Sequence, residues 1–216
     1  MPPILCAATS NPGKLRDFSV AAAQDGIRIQ PLPGHREIPA PDENQSSFEG
    51  NARLKAEYYS RFTPDMVLAD DSGLEVDALG GEPGVRSARF AEDSGYQRRG
   101  TTADLRPLTT DERNNLCLLE RMSGIEQRAA RYRCVLALAH AGKVLLTAEG
   151  VVEGQILRAP QGSGGFGYDP LFWLPQLHRT MAEISLEEKH TLSHRGRAFR
   201  ALLPDLRRLL PESPLK

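Results

Sequence analysis

The chain has few cysteines, no surplus of either charge and no long apolar run. Its three cysteines, Cys6, Cys117 and Cys134, are far apart, odd in number and outside any C-x-x-C pair. That argues against a disulfide framework or a zinc site and fits a reduced compartment. Cys6 and Cys134 lie in apolar runs and read as small core residues. With 27 Lys plus Arg against 28 Asp plus Glu, the net charge is -1. Such a balance gives no general pull toward nucleic acid or an anionic membrane. No stretch approaches the length of a membrane span. The opening "MPPILCAATSNPGK" lacks the basic region and apolar length of a signal peptide. A cytoplasmic protein is expected, with neither nucleic acid nor membrane as partner. Repeats, low-complexity tracts and charged tails are missing too, and no shift in composition marks a domain boundary.

What is there suits one sizeable domain: 216 residues, 40% apolar and 25% charged. Ile4 to Thr9 reads as a buried strand, broken at "SNPGK" before a helix over "LRDFSVAAAQDG" with Gly26 as its C-cap. "IRIQPL" is a second strand, and the proline-rich residues 33–45 form a loop. Ser46 and Glu49 form an S-x-x-E capping box ahead of the helix "FEGNARLKAEYYSRF". Met66 to Ala69 is a strand, and "GLEVDALGG" alternates as a half-buried one. Residues 91–108 read as an exposed loop, followed by a helix that Thr109 and Glu112 cap. "AARYRCVLALAH" and "KVLLTAEGVVEGQIL" are long strands joined at Ala141-Gly142, an antiparallel hairpin. Ser185 and Glu188 cap a short helix, and "HRGRAFRALLPDLRRLL" is an amphipathic helix that Pro204 kinks or divides. The fold class expected is α/β: a single two-lobed domain over residues 1–216, with a long mixed β-sheet flanked by helices and a cleft between the lobes.

The stretch "LADDSGLEV", Leu68 to Val76, raises the functional question. Adjacent Asp70 and Asp71 repel and gain nothing from burial. A surface turn through Ser72-Gly73 explains them, and so does a metal or acid/base site at a strand end; composition leaves both open. "TSNPGK" (Thr9, Ser10, Asn11, Pro12, Gly13, Lys14) stands at a strand-to-helix junction, where backbone N–H groups, the helix N-terminus and a lysine favour an anion. It is not a Walker A loop. Lys55 lies on a helix able to point toward the Asp pair, while Glu43 falls in the proline-rich loop, where an acidic residue is usually solvated. "GSGGFGYDP" offers glycines for a close ligand approach, with Phe166 and Tyr168 either stacking on a base or anchoring the loop. Lys189, His194 and Arg195 stand between two helical segments, with Ser193 as N-cap. Together these are the parts of a nucleoside triphosphate site: carboxylates for a hard cation, lysines for phosphates, flat rings for a base and an arginine for its edge.

"TSNPGK", "SFEGNARLKA", "LADDSGLEVDALGGEPGVRSARF", "GSGGFGYDPLFWLP" and "EEKHTLSHRGRA", in that order, resemble the inosine/xanthosine triphosphate pyrophosphatases, the RdgB/Ham1 family. The resemblance runs from Ile4 to the last helix. It implies a homodimer and Mg2+-dependent hydrolysis of a non-canonical purine nucleoside triphosphate (ITP, dITP or XTP) to monophosphate and pyrophosphate. Under it, Asp71 is the general base, supported by Asp70 and Lys55. Glu43 and Asp71 bind Mg2+. Thr9 to Lys14, Ser72, Phe166, Gly167, Tyr168, Asp169, Lys189, His194 and Arg195 bind substrate. For both aspartates to reach the site, the turn at Ser72-Gly73 must begin early. The family often has Glu-Asn-Ala where this chain has Gly50-Asn51-Ala52, and the 91–108 loop is longer than in comparable bacterial members. The alternatives are a Maf-type nucleotide pyrophosphatase, whose start is of Ser-x-x-Arg type, a nucleotide binder without turnover, and a phosphatase with an aspartyl nucleophile.

Overall fold

The computed structural model describes residues 4–23, 25–97 and 106–210. Seven strands form one sheet in the order β2-β1-β3-β4-β5-β6-β7. They are β1 (Ile4–Ala7), β2 (Arg28–Pro31), β3 (Val67–Val76), β4 (Ala129–His140), β5 (Lys143–Ile156), β6 (Phe172–Leu174) and β7 (Arg179–Thr180). Both β2 and β3 pair parallel to β1, whereas β6 pairs antiparallel to β5 and β7. The sheet is therefore mixed, as the hairpin required. Its turn sets Ala141 and Gly142 at φ 49° and 78°, the left-handed pair that a two-residue hairpin needs. Among the described residues the helices are α1 (Pro12–Ala23), α2 (Phe48–Tyr59), α3 (Phe90–Asp93), α4 (Thr110–Arg121), α5 (Leu186–Leu192) and α6 (His194–Leu209). None is long and apolar enough to cross a membrane.

The chain divides into two compact units, and β3, β4 and β5 each run from one into the other. The first unit holds Met1–Ser72, Arg133–Val152 and Ser185–Lys216. Its core sets Leu5, Ile29, Leu68, Leu136 and Leu138 of the sheet against Phe18 and Ala22 of α1 and Phe199, Leu202 and Leu206 of α6. Phe18 and Phe199 are almost fully buried, and a side chain of this size contributes about 2–3 kcal/mol by leaving water. The second unit, Gly73–Tyr132 with Glu153–Ile184, carries α3, α4, β6 and β7.

Four local expectations need correction. The first concerns the expected Ser72-Gly73 turn: β3 runs unbroken from Val67 to Val76, because its place inside the sheet overrides the local preference of Ser and Gly for a turn. Second, Ser47 and not Ser46 caps α2, accepting from Gly50 N–H at 3.1 Å. That leaves glycine three residues after the cap and no reciprocal carboxylate. Third, α1 begins at Pro12, since proline's fixed φ and missing N–H suit the first helical position. Fourth, Pro204 does not divide α6: it lies on the exposed side, and the buried Ala198, Phe199, Leu202, Leu203 and Leu206 hold the helix whole. Of the loop expected over 91–108, the first residues belong to α3, and 98–105 lie outside the described residues. The capping boxes at Thr109/Glu112 and Ser185/Glu188 are both present.

Candidate active site

β1 pairs with β3 only through Cys6↔Val67 and Ala7↔Leu68. Residues Asp70 and Asp71 thus project beyond the carboxyl end of β1, where the chain turns into Thr9–Lys14. Since β1 is flanked by β2 on one side and β3 on the other, the strand order reverses here. Open α/β sheets place ligands at such a switch point, outside the carboxyl ends of their strands.

The unbroken β3 sends successive side chains to opposite faces, and the two aspartates acquire separate surroundings. On one face, Asp70 Oδ2 meets Lys14 Nζ of α1 at 2.8 Å. Ser72, two residues on, donates from Oγ to the same carboxylate at 3.0 Å and accepts from Arg195 Nη2 of α6 at 2.9 Å. Arg195 also pairs with the buried Asp17 of α1 at 3.5 Å. On the other face, Lys55 Nζ of α2 donates to Asp71 Oδ1 and to Glu43 Oε2, each at 2.9 Å. Asn51, one turn before Lys55, donates from Nδ2 to Asp71 Oδ2 at 3.2 Å. Repulsion between neighbours in sequence is thereby relieved, with a lysine on each side.

The electrostatics differ accordingly. Burial works to raise the Asp70 pKa, but Lys14, then Arg195 and Lys55, overcome it and hold the carboxyl at about 2. Burial prevails at Asp71 and pushes its pKa above the ordinary carboxylate value, against Lys55, Lys14 and Asn51. Burial alone would lower Lys55, yet Asp71, Asp70 and Glu43 raise it beyond the ordinary lysine range. His194 is held well below the ordinary imidazole value by burial and then by Arg195, Lys189 and Lys14, so it is neutral at pH 7.

At the α1 terminus, Asn11 Oδ1 accepts from the backbone N–H groups of Gly13 and Lys14 at 2.8 and 3.2 Å, and Thr9 Oγ1 accepts from Asn11 N–H. Ser10, Asn11 and Pro12 are exposed. Two of the terminal N–H donors expected for an anion are thus committed to Asn11. Lys189, His194 and Arg195, expected between two helical segments, lie on α5 and α6 themselves and are buried. The correction has a simple cause: Ser193 caps α6 through Gly196 N–H, so the chain passes from one helix to the next without a loop. Glu43 is exposed, as its place in the proline-rich loop led one to expect, yet its carboxylate is engaged by Lys55.

Phe166, Gly167, Tyr168 and Asp169 belong to the second unit. Tyr168 is buried and donates its hydroxyl to Ser87 O at 2.8 Å, which makes it the loop's anchor. Asp169 accepts from Phe166 N–H at 2.9 Å and from Tyr132 Oη at 3.2 Å. Gly167 donates to Asp111 Oδ2 and accepts from Asn115 Nδ2. Gly165, at φ 73°, has no room for a side chain, since a Cβ there would come within 2.1 Å of Asp169. Phe166 is half-buried.

Two polar residues of the site were missed by sequence reasoning: Asn51 and Asp17. A signal existed for each. Asn51 stands four residues before Lys55, on the face that also buries Phe48, Ala52, Ala56 and Tyr59. Asp17 stands three after Lys14, beside the buried Phe18. A polar side chain on an apolar helical face needs a buried partner.

The model of the Ham1 family matches residues 5–205. The chain belongs to the Ham1 family. A dITP/XTP pyrophosphatase of Acidobacterium capsulatum is 60% identical over 203 residues, covering 94% of this chain and 97% of that protein. One from Thermus thermophilus is 46% identical, covering 91% and 88%. Among solved structures, the Staphylococcus aureus Ham1 protein superposes with a TM-score of 0.76 at 34% identity, covering 96% of this chain and all of that one. The Coxiella burnetii HAM1 protein gives 0.77 at 34% identity, covering 95% and 99%. For a Ham1 chain the divided aspartates are the feature from which chemistry has to be argued.

Proposed function

We propose that the chain hydrolyses the non-canonical purine nucleoside triphosphates ITP, dITP and XTP to monophosphate and pyrophosphate, in the cytoplasm, as a homodimer and as one functional domain over residues 1–216. The observation that carries the reading is the division of Asp70 and Asp71 between two faces of β3, each with its own lysine. The relatives named dITP/XTP pyrophosphatase supply the substrate class. Three free, buried cysteines support a reduced compartment, and the balanced charge supports a small substrate over nucleic acid.

The two carboxylates take different roles. Asp70, ionised throughout the working range, holds Lys14 in place and is too weak a base to take a proton. Asp71, with its raised pKa, is the better general base, and it activates the water that attacks the α-phosphorus while pyrophosphate leaves. Lys14 and Lys55 neutralise phosphate oxygens, and positioning and charge supply most of the rate. Among the described residues no three acidic, His or Cys side chains form a metal cluster. Yet Glu43 and Asp71 already share one cation, the Lys55 ammonium, and two carboxylates completed by water and phosphate oxygens suit Mg2+. Glu43 and Asp71 would hold it. When bound, it neutralises charge on the triphosphate and on the leaving pyrophosphate. Arg195 and neutral His194 read the C6 oxygen of hypoxanthine or xanthine, where the amino group of adenine leaves the arginine unpaired.

Pyrophosphate release by the purified protein with Mg2+, across ITP, dITP, XTP, ATP, GTP and dTTP, tests this. Selective release from ITP, dITP and XTP that stops on chelation is expected. Activity on dTTP alone, orthophosphate as product, or binding without release would each overturn the reading.

A further inference from the structure

Asn51 is held more firmly than a helix residue at a site's edge needs to be. Its Oδ1 accepts from Gln45 N–H at 3.1 Å, which fixes the amide's orientation and turns Nδ2 toward Asp71 Oδ2 at 3.2 Å. The same Nδ2 lies 3.5 Å from Gln45 O. Asn51 is buried, in one turn of helix with Lys55, which holds the other oxygen of the same carboxylate. Gln45 follows Glu43 by two residues, so the amide ties together the loop that carries Glu43, the helix that carries Lys55 and the strand that carries Asp71. Gly50 is part of the arrangement. A Cβ there would stand 2.8 Å from Gln45 Cβ and 3.1 Å from Ser47 Oγ, too close for the loop to keep its place against the first turn of α2. The departure from Glu-Asn-Ala at this position thus has a steric counterpart in the chain.

We infer that Asn51 is a positioning residue for hydrolysis: it orients Asp71 through the oxygen that Lys55 does not hold while registering the Glu43 loop through Gln45. The inference rests on the proposed hydrolysis. With Lys55 on Oδ1 and Asn51 on Oδ2, the carboxylate plane is fixed by two donors from consecutive turns of one helix. A carboxylate held by one donor alone can rotate, and misplaced groups lose rate without losing substrate affinity.

Two substitutions separate the tasks. Asn51→Asp keeps an oxygen for Gln45 N–H but removes the donor to Asp71. Asn51→Leu removes both without adding charge. For ITP with Mg2+, both are expected to lower kcat by about 30-fold or more with KM changed less than about threefold, the split of a positioning defect. Gln45 amide exchange, followed by NMR without substrate or metal, stays slow in Asn51→Asp and becomes fast in Asn51→Leu. A double-mutant cycle guards against a general folding defect. In an Asp71→Asn background, Asn51→Leu should cost less than about threefold more, because residues acting as a unit are not additive. Near-normal kcat in Asn51→Asp, a loss confined to KM, or additive losses in the cycle would overturn the inference while the hydrolysis stands. A wild-type protein that releases no pyrophosphate would instead overturn the hydrolysis, and the catalytic part of this inference with it; Gln45 exchange would still decide the loop clamp.

Discussion

On one face of β3, Asp70 and Asp17 meet Lys14 and Arg195, two anions against two cations. On the other, Asp71 and Glu43 share the single ammonium of Lys55. The first set is balanced: its carboxylate is pulled to a pKa of about 2 and its members are locked by short contacts. The second set carries an excess negative charge, and its carboxylate titrates above the ordinary value because burial outweighs one shared lysine. One side is matched in charge, pair for pair. The other has two carboxylates on one ammonium, the negative surplus that the proposed Mg2+ would offset. Two aspartates adjacent in sequence thus differ more in chemistry than many residues far apart, and the difference comes from which face each one takes.

The sharpest way to break this contrast is Asp71→Asn. Pyrophosphate release from ITP should fall by about three orders of magnitude or more, the scale for losing a general base together with a metal ligand. Stability to thermal melting should fall modestly, by the scale of about 1–3 kcal/mol for one buried donor left unpaired, because the amide keeps the carboxylate's shape but offers a single acceptor oxygen to the two donors, Lys55 and Asn51. Near-normal turnover would remove Asp71 from the mechanism.

Asp70 should show its effect in stability. Its folded pKa is depressed, so its contribution is present above the unfolded pKa and lost as pH falls through the folded one. Roughly 2 kcal/mol should disappear between about pH 4 and pH 2. Urea unfolding across that window measures it, and in Asp70→Asn the Asp70 share of the pH slope should be gone. An unchanged slope would mean that Lys14 and Arg195 do not act on Asp70 as the geometry implies.

Smaller effects sharpen the balanced side. Arg195→Ala should cut the preference for ITP over ATP by about tenfold, the scale of one buried mismatched hydrogen bond. Ser72→Ala removes the hydroxyl between Arg195 and Asp70 and should cut the same ratio by only about threefold. Steady-state kinetics on both nucleotides read each change.

Much of the fold was legible because its signals are local. The Ala141-Gly142 hairpin and the Thr109 and Ser185 capping boxes are written in a few adjacent residues. The candidate residues were legible as types: carboxylates, lysines and an arginine near glycine-rich turns. Their pairing was not. Arg195 and Ser72 lie 123 positions apart and Arg195 and Asp17 lie 178 apart, and only the packing of α1 with α5 and α6 brings the last helix beside Lys14. The turn at Ser72-Gly73 misled because local propensity competes poorly with a strand inside a sheet. Adjacent serines before α2 offered two caps, and composition cannot choose between them.

The unbroken β3 has a consequence of parity. Substitutions at Asp70 or Asp71 alter one half of the machinery, but adding or deleting one residue between Leu68 and Asp70 would exchange the two faces. Lys14 and Arg195 would then confront the carboxylate meant for Lys55 and Asn51, and every side-chain contact that β3 makes with α1, α2 and α6 in the site would be mismatched at once. The chain's length at this point matters as much as its composition, whereas the polar stretch of residues 33–45 is bound by no such count before Glu43.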